Sequence, residues 1–250
     1  MTLATIFVPN LPSSSGAQLT VEGPELHHLH VRRVKVGERI RLIDGSGGAW
    51  FGEVERISAR RASVRVLGAL PHCAESPLDT TLVLAVVRAE RLEYALEKAT
   101  ELGAHQIVLF RAKYSRNYDA EARLPRWQRV VQESSKQCQR ARVPALTLLP
   151  SLESLVLADE PGLRLVCDIA KEPDRATWPM PPSPRPRAAT IVVGPEGGLA
   201  EEELTFLAAK GFAPVSLGPR ILRTETAVTV ALTLAQFLWG DLSPAARLGR

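Results

Sequence analysis

From Thr80 onward the chain alternates short apolar runs with amphipathic ones, and this rhythm constrains the fold more than any other feature of its 250 residues. TLVLAVV reads as a buried strand from its unbroken apolar run. RLEYALEKATELG reads as a helix closed by Gly103, with Leu92, Leu96, Ala99 and Leu102 along one face. QIVLF is the next strand. A basic helix around RWQRVVQESSKQC, a strand ALTLL, a short helix SLESLVLAD and the strands RLVCDI and TIVV follow in turn. The turn GPEGG, a helix from about Glu201 to Lys210, a strand PVSL and a last helix from roughly Glu225 to Trp239 complete the series. Such alternation predicts an α/β fold, with a largely parallel sheet covered by helices on both faces.

Before Thr80 the rhythm differs. Residues 1–70 read as β-rich: RIRLID and WFGEVERI alternate at strand period and are joined by a glycine hairpin turn at Gly45 to Gly48. The stretch VLGALPHCAESPLD holds two prolines and little periodicity. The division is therefore a small domain at 1–70, a linker at 71–79 and a larger domain at 80–250. The proline-rich run KEPDRATWPMPPSPRPR, Lys171 to Arg187, reads as a surface loop, because its prolines offer no ladder donors.

Composition narrows the class. With 45% apolar and 23% charged residues the chain has material for an ordinary core. Cys73, Cys138 and Cys167 are scattered and odd in number, which fits a reducing cytoplasm better than a disulfide framework. There is no apolar run of about 18 residues and no basic-then-apolar start, so neither a membrane span nor a signal peptide is expected. His27, His28 and His30 have no Cys or carboxylate partner at ligand spacing, so no metal is expected.

The net charge of +4 is concentrated. Residues 111–142 carry nine Lys or Arg against three Asp or Glu, and the remainder is slightly acidic. A basic segment with Tyr114, Tyr118 and Trp127 interleaved suits a phosphate backbone and stacked bases; a solvated helix face is the other reading.

In parallel sheets ligands bind beyond the carboxyl ends of the strands. Three loops lie there: the one at Asp168, GPEGG at Gly194 to Gly198, and GPRILR at Gly218 to Arg223. Two Gly-Pro turns at neighbouring strand ends suggest one pocket in which backbone groups approach a ligand closely. Neither has the spacing of a Walker loop or a dinucleotide fingerprint. Taken alone, GPEGG also fits a plain strand-to-helix turn.

VGPEGGLAEEEL followed by LGPRILRTETAV resembles the SPOUT-class methyltransferases that modify N3 of a uridine in 16S ribosomal RNA. KATELG, ESSKQCQRARVP and HHLHVRRVKVGERIRLIDGSGG are similar to the same family, so the resemblance spans nearly the whole chain. It implies a PUA-like N-terminal β-barrel for RNA, a C-terminal SPOUT domain threaded as a deep trefoil knot, S-adenosylmethionine held in the knot, and a homodimer. It also implies a cytoplasmic enzyme working on 16S ribosomal RNA, within the 30S subunit. A related enzyme acting on another ribosomal or transfer RNA base, and a non-catalytic RNA-binding module, are the alternatives.

Carried onto this chain, the resemblance assigns the cofactor to Asp168, Val193, Gly194, Pro195, Gly197, Gly198, Leu217, Gly218, Ile221 and Leu222. Arg223 is the candidate for polarising a uracil carbonyl or holding phosphate, and Glu196 or Glu225 for accepting the N3 proton. A local ion pair between Arg223 and Glu225, with Thr224 as helix cap, is the plainer reading. Arg32, Arg33, Arg116, Lys136, Arg140 and Arg142 are the expected RNA contacts. The chain departs from the family pattern at Thr5 and Ile6, where an arginine is usual, at Arg32, where a leucine is usual, and in the length of its proline-rich run. The last helix, AVTVALTLAQFLW, is apolar nearly all round and predicts cover on every side, which a partner subunit would supply.

Overall fold

The computed structural model describes residues 3–12, 14–71, 74–115, 119–157, 162–167, 178 and 185–242. The chain divides into two compact units, one of residues 1–75 and 132–143, the other of 76–131 and 144–250. The first unit therefore recruits a short segment from deep in the region that the sequence rhythm assigns wholly to the second.

The first unit holds β1 (Thr5–Phe7), β2 (Gln18–Val21), α1 (Gly23–Val31), β3 (Arg39–Ile43), β4 (Ala49–Ile57) and β5 (Ala62–Ala69). They form one sheet in the order β1-β3-β4-β5-β2, with β1 parallel to β3 and the other pairs antiparallel. Ile6, Leu26, Leu29, Ile40, Leu42, Val54, Val64 and Val66 make its core. The expected hairpin pairs Ile43 with Ala49. Asp44 shapes its turn, with Oδ1 accepting from the Ser46 and Gly48 amides at 2.7 and 2.9 Å. Gly48 is required there, because a Cβ would meet the Trp50 ring at 2.3 Å.

Helix α1 is absent from the β-rich reading. Pro24 presets its first turn, and Leu26 and Leu29, three residues apart, are its two buried anchors.

The second unit holds β6 (Asp79–Ala85), α2 (Ala89–Glu101), β7 (Gln106–Phe110), α3 (Ala120–Gln137, whose last residues cluster with the first unit), β8 (Ala145–Leu149), β9 (Leu163–Cys167), β10 (Ala188–Val193), α4 (Glu201–Ala209), β11 (Ala213–Val215) and α5 (Thr224–Leu238). The six strands are all parallel, in the order β11-β9-β10-β6-β7-β8. Alternate residues of each buried strand serve opposite faces. Val83, Ala85, Val108, Phe110, Val166 and Val192 pack with Leu207 of α4, whereas α2 and α5 pack together on the other face, α5 against β10. The expected parallel sheet with helices on both sides is what the chain builds.

SLESLVLAD gives only a 3-10 turn at Leu152–Ser154, after which Leu155 is extended. Asp119 starts α3 by accepting from the Ala122 amide at 3.2 Å, and Pro125 lies inside that helix. Trp127 of α3 is fully buried, so this ring belongs to the core and is withdrawn from the stacking surface expected of the basic segment.

The last helix buries one side, through its own Thr224, Val228, Ala231, Leu232, Ala235 and Gln236. Thr226, Thr233 and Phe237 stay exposed, so the described residues do not surround it.

Candidate functional site

Strand order decides where a ligand fits. From β6 the chain passes through α2 to β7 on one side. From its neighbour β10 it passes through α4 to β11 on the other. The loops leaving these adjacent strands diverge and open a crevice between them, as expected at a switch point of a parallel sheet.

The loop after β10 carries Gly194 to Gly198. Gly198 has φ +76°, which favours glycine, and Ala200 then caps α4, its amide donating to Glu203 Oε2 at 2.7 Å. Glu203 is 3% exposed, and its other oxygen accepts from the Lys113 amide at 3.0 Å. One buried carboxylate at a helix N-terminus thus fastens the loop after β7 to the loop after β10.

The loop after β11 carries Leu217 to Leu222. Ser216 Oγ accepts from the Gly218 amide at 3.2 Å, and Gly218 has φ +101°. Trp178, from the proline-rich run, donates Nε1 to the Ser216 carbonyl at 3.1 Å and packs on Trp239 with ring centroids 5.9 Å apart. Thr224 is the clasp between the loops: buried, it donates Oγ1 to the Gly194 carbonyl at 3.2 Å. It is not the helix cap, since that position belongs to Arg223.

Between these loops lies a cleft that brings together Val193, Gly194, Pro195, Gly198, Leu217, Gly218, Ile221 and Leu222 of the expected cofactor residues, with Glu196, the candidate proton acceptor, beside them. Cys167, Leu199, Ser216, Arg220, Thr224 and Ala227 complete the wall. Cys167 and Ser216 read in the sequence only as strand ends, and Arg220 carries no motif of its own. The enclosed space is about 100 Å³, below the roughly 300 Å³ of small-molecule pockets, so the described residues supply one wall of a site. Asp168 lies outside the described residues. The wall fits S-adenosylmethionine in its chemistry: Glu196 and Arg220 are its only charged members, and apolar side chains alternate with accessible backbone groups able to meet a neutral adenine and ribose.

Gly197 turns to a second cleft of about 300 Å³, lined by Val86, Val87, Arg88, Arg91, Tyr114, Ser115, Pro195, Glu196 and Gly197. Pro195 and Glu196 line both clefts. Glu196 is ion-paired with Arg91. Arg223 and Glu225 line neither cleft among the described residues. No ion pair between those two is present among the described residues; Arg223 is exposed, while Glu225 Oε2 is buried without a hydrogen-bond partner.

The expected RNA contacts divide sharply. Arg32 and Arg33 are exposed at the end of α1, Arg33 in the left-handed region at φ +55°. Lys136 and Arg140 correct the sequence reading. The Lys136 side chain is 4% exposed and pairs with Glu25 at 3.0 Å and Glu133 at 2.7 Å. The Arg140 side chain is 2% exposed and donates from Nε and Nη2 to Glu75 Oε2 at 3.1 and 2.8 Å. Glu75 Oε1 accepts the amides of Ala141 and Arg142. These cations fasten residues 132–143 into the first unit, and their charge is spent on that. Arg142 is half-buried, with Nε unpartnered among the described residues. Arg116 and Tyr118 lie outside the described residues.

Burial shapes one further group here. His28 Nε2 is buried without a partner among the described residues, and burial, with Lys136 nearby, holds its pKa below the ordinary histidine value. Among the described residues no cluster of three His, Cys, Asp or Glu is arranged to hold a metal, and no helix is long and apolar enough to cross a membrane.

Comparison with known proteins agrees with this geometry. Residues 74–236 match a family model for the RNA methyltransferase domain, and residues 21–67 match one for the RNA methyltransferase PUA domain. Ribosomal RNA small subunit methyltransferase E of Mycobacterium bovis is 34% identical over 239 residues, covering 93% of this chain and 90% of that protein. Its namesake from Synechocystis is 31% identical over 219 residues, covering 86% of this chain and 72% of that protein. The crystal structure of the Neisseria gonorrhoeae ribosomal RNA small subunit methyltransferase E, bound to S-adenosyl methionine, superposes with a TM-score of 0.85 at 31% identity, covering 96% of this chain and all of the other. A family model over residues 74–236, and relatives this similar over most of their length, place the chain in one family: it belongs to the RNA methyltransferases of the ribosomal RNA small subunit methyltransferase E type.

Proposed function

We propose that the chain transfers a methyl group from S-adenosylmethionine to N3 of a specific uridine in 16S ribosomal RNA, acting on the small ribosomal subunit as a homodimer. The observation that carries this reading is the cleft between the Gly194–Gly198 and Leu217–Leu222 loops, closed by the Thr224 to Gly194 hydrogen bond. S-adenosylmethionine bound there supplies an electrophilic methyl on sulfur, so that the N3–C bond forms as the S–C bond breaks and S-adenosylhomocysteine remains.

The protein's own task is to position N3 and to accept its proton. Of the three acidic or basic candidates, Glu196 lines both clefts and is the proton acceptor we favour. Its partner Arg91 orients that carboxylate; the ion pair favours the charged form of Glu196, a cost that the same guanidinium offsets if it turns to the negative charge developing on the uracil. Arg223, exposed at the cap of α5, is the candidate for holding a phosphate, and Glu225 has a supporting role in α5.

Arg32 and Arg33 supply RNA contacts in the PUA-like unit. The exposed Thr226, Thr233 and Phe237 supply the subunit contact. A trefoil threading of the chain through the two pocket loops is supported by β10 lying between β9 and β6 and by α5 packing on both β10 and α2.

The first test is calorimetry with S-adenosylmethionine. Saturable one-site binding that is lost in Gly218→Val, whose positive φ excludes a branched side chain, supports the reading; absence of binding by the intact chain removes it.

A further inference from the structure

We infer that the second cleft, lined by Arg88, Arg91, Tyr114 and Ser115, is the acceptor-nucleotide site: Tyr114 stacks on the target pyrimidine and Arg88 holds its phosphate. The inference rests on the proposed function and adds the residues that receive the RNA base. The cleft is formed by the loops after β6, β7 and β10, at the point where the strand connections diverge. It shares Pro195 and Glu196 with the cofactor wall. A base seated in it and a cofactor seated on the other wall are therefore neighbours at the shared Pro195–Glu196 rim, over which the base must reach the methyl group for direct transfer.

Tyr114 carries the argument. It is a large aromatic side chain, 58% exposed, and it lines the cleft rather than the core. Its backbone is nevertheless pinned. The amide of Lys113 donates to Glu203 at 3.0 Å, Lys113 Nζ pairs with Glu202 at 2.8 Å, and Ser115 Oγ donates to the Val86 carbonyl at 2.9 Å. Gly197 completes the arrangement: a Cβ there would lie 3.4 Å from Tyr114 Cβ, so the turn passes close beside the ring's base. A solvent-facing ring on a pinned backbone beside two arginines is a stacking platform in a positive setting, the combination that single-stranded nucleic acid selects.

The arginines divide the work. Arg91 is engaged with Glu196, whereas Arg88, exposed at the cap of α2, is paired with no carboxylate among the described residues. A 300 Å³ space suits one nucleotide and excludes a duplex step, so the target base enters unpaired.

The test compares Tyr114→Ala, Tyr114→Phe and Arg88→Ala with the parent protein, using unmodified small subunits as substrate. Calorimetry on each variant gives the S-adenosylmethionine affinity. Tyr114→Ala should raise the subunit KM about tenfold or lower kcat/KM by as much, and Arg88→Ala should act in the same direction. Tyr114→Phe should restore near-parental kinetics, and cofactor affinity should stay within about twofold in all three. Kinetic constants within about twofold of the parent for both alanine variants, or failure of Phe to rescue, overturn the inference while leaving the methyltransferase reading intact. Parallel loss of cofactor affinity also overturns it, because the cleft would then only buttress the cofactor wall. A parent protein that transfers no methyl group removes the proposed function itself.

Discussion

Thr224 Oγ1 donates a hydrogen bond to the Gly194 carbonyl, 3.2 Å away and 30 residues earlier in the chain. It is the direct tie between the two loops that make the cofactor wall. Thr224→Val keeps the volume and removes the donor, leaving a part-buried carbonyl unpaired. Stability should fall by about 1–3 kcal/mol and S-adenosylmethionine affinity by several fold, measured by denaturant unfolding and calorimetry. Unchanged affinity would mean that the loops hold their spacing without it.

The buried and exposed arginines should behave as opposites. Arg140→Ala leaves Glu75 charged and unpartnered on one side, so the first unit should lose about 3–5 kcal/mol. The salt dependence of RNA binding by the protein that remains folded should be unaltered. Arg32→Ala and Arg33→Ala should leave stability within about 0.5 kcal/mol, while each flattens the slope of log affinity against log salt by about one. Filter binding across a salt series, with chemical unfolding on the same samples, separates the two classes.

That contrast also marks what the sequence could tell. The central strands β6, β7 and β10 are legible because a strand buried on both faces is an unbroken apolar run, and both glycine-proline loops announce themselves by composition. Lys136 and Arg140 look like RNA contacts in the sequence because their partners stand far off, Glu25 111 residues away and Glu75 65 residues away. Trp127 looked like a stacking ring for the same reason: only packing reveals which side of α3 is covered. Helix α1 has two apolar anchors in nine residues, too few for a periodicity. SLESLVLAD has the apolar content of a helix, yet its chain turns extended at Leu155, so the pattern overstated it. The second cleft had no sequence signature, because Arg88, Tyr114 and Glu196 come from three separate strand ends.

His28 makes the first unit sensitive to acid. Its pKa in the folded protein lies below the unfolded value near 6.5, so the folded state binds fewer protons. The stability this contributes is present above pH 6.5 and is lost as pH falls through the lower folded value. His28→Gln should flatten the stability-pH profile on the acid side of 6.5, measured by urea unfolding at a series of pH values. A profile unchanged by the substitution would place the acid sensitivity elsewhere.

The exposed stripe of α5 should join two copies of the chain. Phe237, 49% exposed between apolar turns, is its largest side chain. Phe237→Arg should convert a dimer into a monomer by light scattering at micromolar concentration, without loss of secondary structure. A parent protein that is monomeric under the same conditions contradicts the dimer.

The central claim is tested most directly by the product. The protein is incubated with isotopically labelled S-adenosylmethionine and unmodified small ribosomal subunits or naked 16S ribosomal RNA, and the RNA is digested for nucleoside mass spectrometry. The account predicts labelled N3-methyluridine, about one per RNA, with the assembled subunit the better substrate. Label in another nucleoside, or no label from a protein that binds the cofactor, contradicts it.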